Sequence, residues 1–372
     1  MQYLIEEEKG VRHVPQQLQN LMSREFALIV VPGVSVEDIP EPQLSGSTTI
    51  SAFKSLPPEL LGSWKNSIGQ LKHDAILGSE LFLIATANSE SSSEDAGYVS
   101  PKDKVCQLYW SLFLSNFVTE THSPIIMQGK PTDEGNPRIC SFGDMPLCYA
   151  SGCLVPRRIS TEHIQEAYKL ASQLTALDSA DRFTRIRRAL FAFWSGIKAN
   201  ENEERINQFC RAVEGLILPP KMGTAKQFNA RGKLFVGDEG GQTLQSIYRV
   251  RSDYVHMHSP LKNLTKQPTA RPEEDTWTVL EAMTIQIEAV ARHCLKAVIL
   301  SPDLQREFDT DDNIENFWER WGQDGNKASP VRKQCQDLWP APIGLNEVIN
   351  EYFDREGALE HHRKRIMNRN QQ

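Results

Sequence analysis

Hydrophobic residues are arranged in two different ways along this chain, and the change comes near residue 160. Before it, EFALIVVPGV (25–34) and LFLIATANS (81–89) are short, nearly continuous apolar runs bounded by turn residues. They predict buried β-strands. Between them, PPELLGSWKNSIGQLKHDAIL repeats apolar residues at Leu60/Leu61, Trp64, Ile68 and Leu71, the spacing of one helical face. SESSSEDAG (89–97) is polar and turn-rich and predicts an exposed loop. The run from Lys104, VCQLYWSLFLSNFV, is apolar at almost every position and predicts a central buried element. MQGKPTDEGNPRICSFGDMPLC, punctuated by Gly and Pro, predicts a hairpin or irregular β region.

After Ser160 the pattern is helical throughout. Ser160 is placed to N-cap EHIQEAYKLASQL. A second helix, after Asp181, carries Ile186, Leu190, Phe193/Trp194 and Ile197. A third, Asn202 to Leu218, carries Ile206, Phe209/Cys210, Val213 and Leu216/Ile217, and Pro219-Pro220 stops it. A shorter element follows at Ala225–Val236, then a GDEGG turn, a helix from Gln242 that ends by Pro260, and a long helix from Glu273 to Leu300. Three-to-four spacing sustained over this length predicts a helical bundle. The aromatic run Phe191, Phe193, Trp194 is expected in its core. The fold class is therefore α+β, with a mixed α/β region at 1–158, an all-α region at 159–301, and an acidic linker with a helical extension and basic tail at 302–372. The tail, ending HHRKRIMNRNQQ, is expected to be solvated, with an RNA-contacting arm as the sharper alternative.

Composition narrows the function classes. With 372 residues, 40% hydrophobic and 24% charged, the chain has the make-up of a soluble globular protein. A net charge of -7 argues against wrapping duplex nucleic acid, so any such contact must be a local patch or cleft. No apolar run approaches a membrane span, and MQYLIEEEKG lacks the basic and apolar parts of a signal peptide, so a cytoplasmic location is expected. The seven cysteines contain no CxxC, which fits reduced thiols rather than a disulfide framework. Cys140, Cys148 and Cys153 with His163 are too irregularly spaced for a zinc site, and neither metal nor cofactor is expected.

The chemistry concentrates in RSDYVHMH, Arg251 to His258. A guanidinium can grip a phosphate through paired N–H donors, and an imidazole can move a proton near neutral pH. Bare Arg-to-His spacing says little: Arg157 and Arg158 with His163, and Arg355 with His361 and His362, show it too and read as surface pairs. Arg251 differs because it falls on the apolar stripe of Leu244, Ile247/Tyr248 and Tyr254/Val255, where a guanidinium is costly unless paired or lining a cleft. On an ideal helix His258 stands almost above Arg251, whereas His256 points about 140° away. Unwinding before Pro260 would swing His256 closer, so spacing leaves both histidines open.

RFTRIRRALFAFWSG, RINQFCRAVEGLIL, ARGKLFVG and above all LQSIYRVRSDYVHMHS resemble the HEPN superfamily, specifically its Apea-like branch. The likeness covers 182–300 well and 104–178 more weakly. It aligns Arg251 with the family arginine, Ser252 with the polar residue after it, His256 with the histidine, and Glu214 with the family's Ala-x-Glu-x-Leu glutamate. His256-Met257-His258 stands where the family commonly has His-Gly, which leaves the role of His258 open. The resemblance implies a metal-independent endoribonuclease, a homodimer through the motif helix, and a toxin or antiphage (abortive-infection) setting. In that reading Arg251 and His256 are catalytic, with Ser252 and His258 auxiliary, while Glu214 is expected mainly as a salt-bridge partner. The alternative is a non-catalytic HEPN dimerisation or RNA-binding module that regulates a partner. The N-terminal part is then a candidate sensor for a phage or nucleotide trigger.

Overall fold

Every side chain of β1 (Phe26–Val31) is buried, and alternation along it decides which layer each one joins. Phe26, Leu28 and Val30 enter a core built with Leu60, Leu61, Trp64, Ile68 and Ile76; Ala27, Ile29 and Val31 enter the opposite one, with Leu108, Leu112 and Tyr168. The computed structural model describes residues 24–40, 43–45, 48–87, 100–115, 122–132, 137–148, 158–178, 182–218, 224–257 and 276–321.

β1 lies inside a six-stranded antiparallel sheet completed by β2 (Gln43–Ser45), β3 (Thr48–Phe53), β4 (Leu81–Ala87), β5 (Ile125–Lys130) and β6 (Arg138–Asp144), in the order β2-β3-β4-β1-β5-β6. Its apolar runs thus become central strands. The Gly/Pro-punctuated stretch is the β5–β6 hairpin, with a bulge at Gln128/Gly129. The segment expected as one helix is two, α1 (Pro58–Ile68) and α2 (Gln70–Leu77), because Gly69 takes a φ of 81°. That break resets the helical phase, so Leu71, expected on the apolar face, is 88% exposed. The Trp64 indole N–H donates to the Pro137 carbonyl at 2.9 Å and ties α1 to the hairpin.

The other sheet face is covered by α3 (Pro101–Ser115), and α3 packs on α4 (Thr161–Asp178). Ser160 caps α4 as expected: its hydroxyl oxygen accepts the His163 backbone N–H at 3.4 Å, and its own backbone N–H donates to His163 Nδ1 at 3.3 Å. The bundle continues through α5 (Thr184–Lys198), α6 (Asn202–Ile217), α7 (Thr224–Val255) and α8 (Thr276–Leu300). α7 breaks at Gly237 (φ 77°), where the sequence predicts a turn. One apolar core runs without interruption from β1 through α3 and α4 into these helices, across the boundary expected at residue 158.

The acidic stretch expected as a linker is folded. α9 (Pro302–Glu307), capped by Ser301, leads to α10 (Asp311–Trp321), which buries Ile314, Phe317 and Trp318. Its acidity serves the bundle: Arg185 donates to both carboxylate oxygens of Asp311, at 2.9 and 3.0 Å. This holds the Asp311 carboxyl below its ordinary pKa. The basic tail lies outside the described residues. Among the described residues no helix is long and apolar enough to cross a membrane.

Candidate active site at the end of α7

α6 and the second half of α7 run antiparallel and are joined by polar rungs. Arg231, in the first half of α7, donates to the carbonyls of Ile217 and Leu218 at 2.8 and 2.6 Å and so caps the C-terminus of α6. Further along, Tyr248 donates its hydroxyl to Glu214 Oε1 at 2.9 Å, and Arg251 Nη2 meets Glu214 Oε2 at 3.3 Å. Arg251 Nη1 also donates to the Tyr248 oxygen at 3.3 Å, with the guanidinium 5.3 Å from the Tyr248 ring centre. Burial first, and then the Glu214 carboxylate, push the Tyr248 phenol well above its usual pKa, so it stays a donor. The last rung is Tyr254 to Glu204 Oε2, 3.0 Å.

Arg251 thus sits on the inner side of α7, where the apolar stripe places it, and its desolvation is offset by Glu214. The pair is only partly closed: the two side chains keep 20% and 17% of their surface exposed. Arg251 Nε is buried without a hydrogen-bond partner among the described residues. Of the sequence-predicted site residues, the structure brings together Arg251 and Glu214, the latter in the salt bridge expected of it.

Unwinding begins earlier than Pro260 requires. Val255 is the last helical residue; the His256 N–H still bonds the Ser252 carbonyl at 3.0 Å, while Met257 turns into the left-handed region (φ 56°) with its N–H on the Tyr254 carbonyl. Continued as an ideal helix, the chain would set His256 about 140° round the axis from Arg251. His256 is exposed at the helix end. Ser252 is half-buried one residue after the arginine. His258 lies outside the described residues. Tyr254 and Val255, expected to extend the apolar stripe, are exposed, and Met257 is 95% exposed. The stripe stops because α6 begins at Asn202 and offers nothing apolar beyond Glu204.

The sequence reading missed the surface beside this site. Two adjoining depressions of about 290 and 490 Å³ lie between α5 and α6 and share Arg188, Ala192 and Arg211. Glu214 lines the first, with Arg185; Arg187 and Phe191 line the second. Phe191, expected in the core, is 72% exposed, because Leu190 and Phe193 take the inward positions of α5 and leave 191 on the face of Arg187 and Arg188. The available signal was RFTRIRR, whose Arg-x-x-Arg spacing puts Arg185 and Arg188 on one side of a helix.

The zinc alternative gains nothing here: Cys140 is exposed, Cys148 is buried, His163 serves in the α4 cap, and Cys153 lies outside the described residues. No cluster of three or more metal-ligating side chains occurs among the described residues. No protein-family model, curated protein or solved structure matches the chain.

Proposed function

We propose that this chain is a metal-independent endoribonuclease of HEPN type whose site is completed by a second copy. The observation that carries this reading is Arg251: a guanidinium held half-buried at a helix end, beside an open groove, with an exposed histidine one turn further on. On an ideal helix His256 stands about 140° from Arg251, so in this reading a second α7 end completes the site. The exposed Tyr254, Val255 and Met257 form the apolar surface on which two such ends would meet about a two-fold axis.

In the reaction, His256 takes the proton of a ribose 2′-OH, and the 2′ oxygen attacks the adjacent phosphorus. Arg251 neutralises charge on the phosphorane. The bond from phosphorus to the 5′ oxygen then breaks, that oxygen receives a proton from the histidine of the second copy, and a 2′,3′-cyclic phosphate remains. DNA, which has no 2′-OH, is not cut. Ser252 is placed to orient substrate. A cytoplasmic toxin or antiphage role, with the sheet region sensing a trigger, is the biological setting that goes with this chemistry.

The test is end-labelled RNA incubated with purified protein in excess EDTA. Wild type is expected to leave cyclic-phosphate ends, and His256→Ala and Arg251→Ala to lose roughly 100-fold or more of the rate while melting as folded proteins. Cleavage abolished by EDTA, or unchanged in His256→Ala, overturns the reading.

A second reading has its own observation. Glu214 already occupies the Arg251 donors that a phosphate would use, which favours a non-catalytic dimerisation or RNA-binding module regulating a partner. Wild type that forms dimers and binds RNA without cutting it would favour that module.

A further inference from the structure

The groove between α5 and α6 has a floor of small residues and a rim of guanidinium groups. Ala189, Ala192 and Gly215 line it. A Cβ added at Gly215 would stand 2.9 Å from the Ala189 Cβ, so the two helices touch there and only a shallow trough remains above them. Arg185 is committed to Asp311. Arg188 is exposed, with no hydrogen bond or ion pair among the described residues beyond a longer-range attraction to Asp311, and Arg211 makes a long hydrogen bond to Gln208, 3.4 Å. Phe191, a large aromatic left in solvent, lines the same depression as these cations. At the other end Glu214, which lines the same trough, holds Arg251.

From this we infer that the α5–α6 groove is the docking track for a single-stranded nucleic acid, its phosphates on Arg188 and Arg211, one base stacked on Phe191, and its path leading to Arg251. Cations that follow a backbone, combined with an aromatic face for an unpaired base, are the two elements sequence-tolerant strand binding requires. A duplex keeps its bases stacked inside and has no use for Phe191. The chain's net charge of -7 also leaves the attraction local to this trough. The inference rests on the nuclease reading only in naming RNA as the physiological strand; the groove chemistry accepts RNA or DNA.

The experiment uses His256→Ala full-length protein, so that binding is read without cleavage, and a fluorescent oligouridylate of about ten nucleotides, within the span of such sites. Arg188→Ala/Arg211→Ala is expected to weaken binding roughly tenfold or more. It should also flatten the dependence of log K on log salt by about 1.4, the contribution of two phosphate contacts on a single strand. Arg188→Lys/Arg211→Lys should restore the salt slope, since charge alone sets it. Phe191→Ala should weaken binding about fivefold or more with no change in slope. All these side chains are exposed, and unchanged melting checks the fold of each variant.

Equal binding of oligothymidylate supports the groove and leaves the choice of RNA to the 2′-OH at the reacting centre. An unchanged affinity and slope in the double alanine variant overturns the proposal. So does tighter binding of duplex RNA, or equal, arginine-dependent binding of polyglutamate, which would make the partner an acidic peptide. The two readings fail separately. Strand binding that depends on the groove without any cleavage by wild type sinks the nuclease and keeps the track. Cleavage of long RNA that ignores all three groove residues does the reverse.

Discussion

Two arginine–glutamate sites in this bundle use the same chemistry at different depths. In the interior, Glu288 is fully buried and receives Arg205 at 3.2 Å and Arg292 at 2.7 Å, and Arg292 Nε donates to the Phe113 carbonyl at 2.6 Å. These bonds link α6, α8 and α3, so the network joins the helical bundle to the layer that covers the sheet. At the end of α7, Glu214 receives one guanidinium and one phenol and keeps a face on the groove. A charge enclosed on all sides can only hold helices together. A charge with one open side can also exchange its partner for a ligand.

The largest effect that would test this contrast is at Glu288. Glu288→Ala removes the carboxylate shared by two buried guanidinium groups and is expected to cost about 3–5 kcal/mol in urea unfolding. A loss under about 1 kcal/mol would mean that the buried network has other compensation and that depth is not what separates the sites. Glu214→Gln should cost only about 1 kcal/mol, because the pair is partly solvated and the amide keeps the Tyr248 bond. The same change releases Arg251 and removes a negative charge from the groove, so oligouridylate binding should tighten a few-fold. Weaker binding in Glu214→Gln would show that Arg251 needs its carboxylate in order to be positioned at all.

The smallest effect is a titration. With the Tyr248 pKa raised by burial and then by Glu214, the phenol stays protonated through the range in which ordinary tyrosines ionise, about pH 10. The stability it confers is present below that pH and is lost as pH rises through the higher folded value. Folded wild type and Tyr248→Phe should therefore show equal phenolate absorbance near pH 10 and diverge only above it. A difference of about half a phenolate at pH 10 would place Tyr248 in solvent and open the inner side of the site.

Much of the architecture was legible in the pattern of apolar residues. Continuous apolar runs became central strands, three-to-four spacing became α4 to α8, and Ser160 became a cap. The misses share a cause: they are positions where a neighbour outside the local window decides the outcome. Leu71 fits a helical stripe until Gly69 resets the phase. Phe191 has the composition of a core residue, but Leu190 and Phe193 already fill the inward positions of α5. The acidic stretch after Pro302 has the composition of a linker, but Trp318 finds a buried place against α6 and Arg185 finds Asp311.

For the site, the chain alone determined that a guanidinium would interrupt an apolar stripe one turn before a histidine, because periodicity along one helix is a local property. It determined equally that such a cation needs a partner, because desolvating a charge is costly wherever it occurs. Only the packed structure decided that the partner is Glu214, thirty-seven positions earlier, with Tyr248 between them. It alone decided that Tyr254, Val255 and Met257 stay exposed and that four arginines line two adjoining depressions. Those outcomes depend on how α5, α6 and α7 lie against one another, and helix-to-helix placement is set by contacts between residues distant in the chain.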